Sequence, residues 1–232
     1  MRDFHVFIEQ QGEQIYVGKI TGSGSEDAVF SYAQEYLDNP SSCPISIHLP
    51  LQAQNFSPEE TRFFFEGLLP EGFNRKCVAG WIHADEYDYL TILAALGREC
   101  LGAIQIIEDG MDVPKAGYQK LTKEDVCRLA KEGASEAAEL VTKAHLSLTG
   151  ASGKVGLYYK IDTNEWYLPI GAAPSTHIVK QSHVRLDGIV TNEQLCLQTA
   201  KNLGIDVPDS FVINVGTGKD EEVLFATHRY IF

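Results

Sequence analysis

The chain has 232 residues, 44% of them hydrophobic, with 19 Lys and Arg against 32 Asp and Glu, which gives a formal net charge of −13. This composition supports one large or two small folded domains, and its acidity disfavours direct binding to nucleic acid. The five cysteines lack C-x-x-C spacing, the histidines are scattered, the N-terminus is polar, and apolar runs fall short of the ~20 residues of a membrane span. We therefore expect a cytoplasmic protein with reduced thiols, no metal site and no membrane contact.

The first part of the chain is predicted to mix strands and helices. A polar turn containing Gly12 separates two β-type runs and indicates a hairpin. Ser57, Pro58 and Glu60 fit a capping box that begins a helix. The predicted elements, in chain order, are strands at Phe4–Gln10 and Gln14–Ile20, a short strand and helical turn in VFSYAQEYLD, a half-buried strand in PISIHLPL, a helix from the Ser57 cap to about Leu68, a helix in EYDYLTILAALG with Tyr89, Ile92, Leu93 and Leu96 on one face and its end at Gly97, and a strand at Gly102–Glu108.

Periodicity is lost in Asp109–Tyr118, where Gly and Pro gather, and this predicts a boundary between two domains, 1–110 and 119–232. The second domain is expected to hold more strands than helices. Its predicted elements are a helix capped by Thr122, a helical patch at Ala134–Lys143, strands around Ser147 and at Val155–Lys160, Glu165–Leu168 and His177–Gln181, a helix in TNEQLCLQTAKNLGI capped by Thr191 with Leu195, Ala200 and Leu203 inward and Gly204 at its end, and closing strands at Phe211–Val215 and Glu222–Thr227.

The stretch SLTGASGKVGLYY contains a Gly-Lys loop that departs from the phosphate loop of NTPases. That loop has four residues between its glycines, then Lys and a Ser or Thr that opens a helix. Here two residues separate Gly150 from Gly153, Val155 follows Lys154, and the sequence that follows is strand-like. The alternative is a glycine-rich cover between two strands, of the kind that protein kinases close over nucleotide phosphates.

A kinase-type cover demands a later strand with an inward Lys and then a helix with an acidic residue. Both occur, because the β-branched run STHIVK ends in Lys180 and Glu193 lies at the start of the next helix. A Lys–Glu pair between strand and helix holds the ammonium group toward a phosphate. The final strand LFATHRYIF then occupies the place of the hinge whose main chain reads adenine. The order of these parts matches a kinase N-lobe.

Each of these features also has a plainer interpretation. A Gly-Lys turn is more often an ordinary hairpin, a Lys at a strand end is usually solvated, and Asn-Glu at a helix start is ordinary capping. Ser147 could equally be a buried strand residue that bonds a neighbour. The nucleotide hypothesis therefore depends on the order of the parts and not on any one of them.

The chain resembles the N-terminal part of HipA-family serine/threonine kinases, the toxins of bacterial type II toxin–antitoxin pairs. Seven blocks carry the resemblance across nearly the whole chain: YVGKI, ISIHLPL, FFEGLLPEG, LGRECLGAIQII, SLTGASGKVGL, STHIVKQSH and NEQLCLQTAKNLGIDVPDS. The resemblance implies an α+β fold, with a mixed β-barrel or sheet subdomain followed by a kinase-like N-lobe of antiparallel sheet and one marked helix, and with the kinase C-lobe absent.

The resemblance also implies roles for individual residues. Ser147 matches the serine that family members autophosphorylate, which ejects the loop and switches the kinase off, and Thr149 is a second hydroxyl within reach. Glu193 supports the strand lysine. No catalytic residue and no metal ligand is assigned. The nucleotide-binding residues implied are Gly150, Ala151, Ser152, Gly153, Lys154, Lys180, His228, Arg229 and Tyr230.

Full-length family members continue into a helical C-lobe with a catalytic Asp in a D-G-H-x-x-N-like motif and a metal-binding Asp in an F-Y-D-like motif. This sequence ends at Ile231-Phe232 and has no counterpart of either Asp. Because phosphoryl transfer depends on positioning and on charge neutralisation by metal, we expect negligible kinase activity and weak or no ATP and Mg²⁺ binding by this chain alone. The resemblance further implies a HipB-like DNA-binding antitoxin or a separately encoded C-lobe as partner, and a protein such as an aminoacyl-tRNA synthetase as substrate.

Three functional hypotheses follow. The first is the N-terminal part of a HipA-like kinase toxin, with Ser147 as its regulatory phosphorylation site. The second is a non-enzymatic regulatory or antitoxin-like subunit of a split system, because the first domain resembles a subdomain that exists as a separate chain in some of them. The third is a nucleotide-binding protein unrelated to kinases.

Overall fold

The computed structural model describes residues 1–10, 13–97, 104–111, 115–132, 139–140, 153–171, 173–181 and 188–229. These residues form an α+β fold with two antiparallel sheets. The first sheet has the strand order β3-β2-β1-β4 and the second has the order β5-β7-β6-β8-β10-β9. The mixed α+β class with antiparallel sheets is confirmed.

The first sheet is built on the predicted hairpin. Strands β1 and β2 pair from Arg2 with Gly22 to Gln10 with Glu13, and the register shifts by one residue between Val6 and Phe7. The strands of this sheet are β1 (Arg2–Gln10), β2 (Glu13–Gly22), β3 (Val29–Tyr32) and β4 (Ile104–Glu108).

The helix predicted from the Ser57 cap begins where that residue predicts. Ser57 accepts a hydrogen bond from the Glu60 amide, and the Glu60 carboxylate accepts one from the Ser57 amide, so the capping box is formed. Asp88 caps the next predicted helix, which ends at Gly97 with the expected face buried. The helices are α1 (Gln34–Leu37), α2 (Pro58–Glu66), α3 (Gly72–Trp81) and α4 (Tyr89–Leu96).

The strand predicted in PISIHLPL is wrong. Only a single bridge joins Ser46 to Leu49, and the Ile47 side chain is 86% exposed. Leu49 is buried and accepts a hydrogen bond at its carbonyl from the Tyr32 hydroxyl. The apolar alternation therefore does not correspond to a half-buried strand, because no neighbouring strand pairs with this segment among the described residues.

The second sheet carries the strands that the sequence places around the Gly-Lys loop. Its strands are β5 (Gly117–Lys120), β6 (Lys154–Lys160), β7 (Glu165–Ile170), β8 (His177–Gln181), β9 (Ser210–Asn214) and β10 (Val223–His228). Strand β8 lies between β6 and β10 and is antiparallel to both. A polar edge strand, β5, was not predicted. The predicted strand around Ser147 lies outside the described residues.

Two helices accompany this sheet. Thr122 caps α5 (Lys123–Glu132), since its hydroxyl accepts a hydrogen bond from the Asp125 amide. The patch predicted at Ala134–Lys143 lies largely outside the described residues. The second helix is α6 (Ile189–Asn202), whose N-cap is Gly188 at a φ of 72°. Only glycine adopts such a left-handed conformation without strain.

The predicted orientation of α6 is wrong in three respects. Thr191 lies inside the helix and does not cap it. Leu195 is 64% and Leu203 74% exposed, so neither points inward. The helix contacts the sheet through Val190, which packs with Val223 and Phe225 of β10. Its predicted end is confirmed, because Gly204 follows with a φ of 80°.

Buried side chains from both sheets pack into one contiguous hydrophobic core. Phe4 and Phe30 represent the first sheet in it, Val155 and Leu224 the second, and Leu129 comes from α5. Within the described ranges, no helix combines the length and the apolar character that crossing a membrane requires.

Candidate nucleotide-binding site

The two lysines singled out in the sequence lie side by side. Lys154, the first residue of β6, is the register partner of Lys180 on β8. Directly opposed residues of antiparallel strands project from the same face of a sheet. The structure therefore brings both ammonium groups to one face, where they form a positively charged pair on a strongly acidic protein.

The predicted ion pair between strand and helix is formed. The Lys180 Nζ lies 2.5 Å from the Glu193 Oε1, and the two side chains are 24% and 34% exposed. The ammonium group also lies 5.6 Å from the centre of the Phe225 ring. These contacts fix the Lys180 head group beside the N-terminal half of α6.

Lys154 is held in a less favourable environment. Burial lowers the pKa of its ammonium group, and the neighbouring charge of Lys180 lowers it further. The carboxylates of Glu193 and Glu71 oppose this and favour the charged form. Glu71, the N-cap residue of α3, therefore brings a negative charge from the first part of the chain to the lysine pair.

The register places an apolar surface beside the lysines. Gly156 pairs with Ile178, which in turn pairs with Thr227, so all three share the face of Lys154 and Lys180. Phe225 pairs with Lys180 and belongs to the same face. Sequence reasoning missed these residues, although counting in steps of two from Lys180 gives Ile178. Phe225 is fully buried under Val190 and Gly156 is buried in the sheet, so the accessible apolar contact next to the two cations comes from the half-buried Ile178.

The described residues of the predicted hinge are His228, which ends β10, and Arg229, which follows it. The Arg229 amide donates to the Thr176 carbonyl at 2.8 Å, and its Nη1 donates to the Ser175 Oγ at 2.6 Å. The ring of His228 lies 5.4 Å from that of its strand partner His177. The hinge side chains thus contact the protein itself, a role that the sequence did not suggest.

Part of the predicted site lies outside the described residues, namely Ser147, Thr149, Gly150, Ala151, Ser152 and Tyr230. Gly153 is described and buried at the entry to β6. Within the described ranges, no group of three or more His, Cys, Asp or Glu residues could hold a metal ion.

A separate groove lies at the start of α6 and has a volume of about 480 Å³. Of the predicted nucleotide-binding residues that the structure describes, none lines this groove. Its walls are Gly188, Thr191, Asn192, Leu195, Gly218 and Val223.

Two family models match the chain. The HipA N-terminal domain matches residues 11–107, and the HipA-like C-terminal domain matches residues 146–230. The second match covers the segment that contains both lysines and Glu193.

Curated relatives and a solved structure agree with these matches. "Putative kinase Y4mE" of Sinorhizobium fredii is 32% identical over 200 residues, 82% of this chain and 47% of that protein. "Serine/threonine-protein kinase toxin HipA" of Shewanella oneidensis is 24% identical over 215 residues, 91% of this chain and 48% of that protein. An uncharacterized protein of Haemophilus influenzae is 30% identical over 112 residues, 47% of this chain and 98% of that protein.

The solved complex of Shewanella oneidensis HipA with HipB and operator DNA has a similar fold, with a TM-score of 0.72 at 20% identity over 97% of this chain and 50% of that chain. The chain thus spans about half the length of the two kinase relatives and of this structure. The N-terminal and C-terminal domain models of the HipA family together match most of the residues. The chain therefore belongs to the HipA family.

Proposed function

We propose that the chain forms the nucleotide-covering part of a HipA-type serine/threonine protein kinase toxin. The observation that carries this proposal is the lysine pair on one face of the second sheet, with Lys180 bound to Glu193. Two cations next to an apolar surface suit a nucleoside triphosphate, whose phosphates need positive charge and whose base needs an apolar contact.

The residues divide the binding of ATP between them. Lys180, fixed by Glu193, contacts a phosphate, and Lys154 supplies a second positive charge at the entry of the glycine-rich loop. The face that carries Ile178 and Gly156 receives the base, and the main chain after β10 bonds its edge. Mg²⁺ neutralises phosphate charge in phosphoryl transfer; the described residues offer no cluster of metal ligands, so no step is assigned to the metal here.

Regulation and partners complete the proposal. Phosphorylation of Ser147 adds a charge of about −1.5 to −2 seven residues before Lys154, and repulsion from the nucleotide phosphates then opposes closure of the loop. A HipB-like antitoxin is the proposed partner, by analogy with the complex of the Shewanella protein. A separately encoded C-lobe is the alternative partner, and a translation factor such as an aminoacyl-tRNA synthetase is the proposed substrate.

Calorimetric titration of the 232-residue chain with ATP tests the nucleotide site. Replacement of Lys180 by Met, together with Glu193→Gln to avoid a lone carboxylate, should weaken binding about tenfold or more, because a charged hydrogen bond contributes ~1.5–3 kcal/mol. Lys201→Met is the control. Lys201 lies on α6, as Glu193 does, but it pairs with Asp209 at the surface. Equal ATP affinity in the Lys180 variant and in the control would refute the site.

A second candidate function is a non-enzymatic regulatory or antitoxin-like subunit. It is favoured by the Haemophilus influenzae relative, nearly all of which is matched by about half of this chain, so a unit of that size exists as a separate protein. The test is inhibition of a cognate HipA-type kinase by this chain and by its Lys180→Met variant. Equal inhibition by both would favour the regulatory function.

A further inference from the structure

The segment Ser175-Thr176-His177 precedes Lys180 in the run STHIVK, and the nucleotide site gives it no role. Ser175 is fully buried, and its hydroxyl accepts a hydrogen bond of 2.6 Å from the Arg229 guanidinium. A buried hydroxyl bonded to a charged donor is costly to leave unpaired. This contact joins the residue after β10 to the loop before β8.

Thr176 extends the contact into the sheet. Its carbonyl accepts from the Arg229 amide at 2.8 Å, and its own amide donates to the Leu157 carbonyl at 3.0 Å. Its hydroxyl accepts from the Tyr159 amide at 2.9 Å. Arg229 is therefore bonded, through both main chain and side chain, to a segment that is itself held by β6.

The consequence concerns the main chain that follows β10. Strand pairing with β8 extends to His228, and Arg229 is the first residue beyond it. At that point the two bonds of Arg229 continue the attachment to the β8 side that the strand ladder provides up to His228. Because its Nη1 is bonded to the buried Ser175 hydroxyl, part of the guanidinium of Arg229 is engaged within the protein.

We propose that Arg229 and Ser175 form a clasp that positions the hinge main chain for the nucleotide base, with Arg229 acting through Ser175 as a positioning residue. This proposal rests on the proposed nucleotide function and refines it. The lysines bind the phosphates, and the clasp positions the main chain that bonds the base. Loss of the clasp should then weaken ligands that carry a base and spare ligands that carry only phosphates.

Titration calorimetry with two ligands, ATP and inorganic tripolyphosphate, tests this on the 232-residue chain. The variants are Ser175→Ala, Arg229→Met and the double variant. Each single variant should weaken ATP binding about tenfold, because ATP must then order a hinge main chain that the clasp no longer holds, while tripolyphosphate affinity stays at the parent value. The double variant should lose no more than Arg229→Met alone, because that substitution already removes the contact with Ser175.

Tyr118→Phe is the matched control. The Tyr118 hydroxyl donates to the Pro174 carbonyl, one residue before Ser175, so its removal disturbs the same loop without touching the clasp. Its ATP affinity should equal that of the parent. Arg229→Lys, which retains a cationic donor, should recover part of the ATP affinity lost in Arg229→Met.

Four results would overturn the proposal. Unchanged ATP affinity in both single variants would show that the hinge does not depend on the clasp. An equal fall for both ligands would indicate a general loss of structure, and additive losses in the double variant would mean that the two residues act separately. If the parent binds neither ligand even at concentrations that detect weak binding, the proposed nucleotide site of this chain fails and the clasp hypothesis with it.

Discussion

Replacing Glu193 by Gln tests how the lysine pair is held. The Lys180–Glu193 pair is 24% and 34% exposed, which lies between the exposed pairs that contribute ~0.2–1 kcal/mol and the buried pairs whose disruption costs ~3–5 kcal/mol. We therefore expect the variant to lose about 1–2 kcal/mol of unfolding free energy. Without the Glu193 carboxylate, the repulsion between Lys154 and Lys180 is less compensated, and this adds to the loss of stability. Glu193 is one of the two carboxylates that favour the charged form of Lys154.

Thermal denaturation followed by circular dichroism measures this effect. In a chain of this size, 1 kcal/mol corresponds to ~2–4 °C, so the midpoint should fall by about 2–8 °C. The control is Asp209→Asn, which breaks the Lys201–Asp209 pair, whose side chains are 57% and 86% exposed, and should shift the midpoint by less than ~2 °C. Equal shifts in the two variants would refute the reasoning that partial burial strengthens the pair at the site.

Three further outcomes are expected. Gly18→Ala should destabilise the chain by more than ~2 kcal/mol in urea unfolding, because its Cβ would lie 2.1 Å from the Ser31 carbonyl oxygen, whereas Gly24→Ala should be near neutral, since nothing lies within 4 Å. Val190→Ala should cost ~2 kcal/mol in the same assay, whereas Leu203→Ser on the same helix should cost less than ~0.5 kcal/mol, because only Val190 is buried. Burial, and secondarily the charge of the neighbouring histidine, lowers the pKa of His177 below its ordinary value of 6.5, so the unfolded state binds more protons and stability should decline as the pH falls through that value; a denaturation midpoint unchanged between pH 7.5 and 5.5 would contradict this.

Elements with local signals were predictable, and elements defined by distant contacts were not. The α2 and α4 helices carry their own capping residues, Ser57 and Asp88, so the sequence close to each start defines it. Strand β5 has no apolar alternation, and it exists because its main chain pairs with β7. The face of α6 was mispredicted because the helix packs through Val190, with Ile189 and Leu197 partly buried beside it, and not through Leu195 and Leu203.

The same distinction applies to the candidate site. Lys154, Lys180 and Glu193 could be named because their order along the chain matches a kinase N-lobe. Phe225 and Ser175 could not, since their place in the site follows from the register of β10 against β8 and from a hydrogen bond across 54 residues. Glu71 lies in the part of the chain that forms the first sheet, and no short-range sequence pattern connects it to Lys154.

Lys154 and Lys180 repel each other across neighbouring strands when no phosphate is bound. This repulsion has a measurable consequence at Lys154. Burial and Lys180 both lower the pKa of its ammonium group, so a bound polyphosphate should raise that pKa and draw a proton onto the side chain. Titration of tripolyphosphate in alkaline buffers of different ionisation enthalpy should therefore show proton uptake by the side chain on binding. Lys154→Arg keeps the positive charge but does not titrate in this range, so the variant should bind with little or no uptake. Proton release by the parent, or the same uptake in both chains, would mean that Lys154 does not face the bound phosphates.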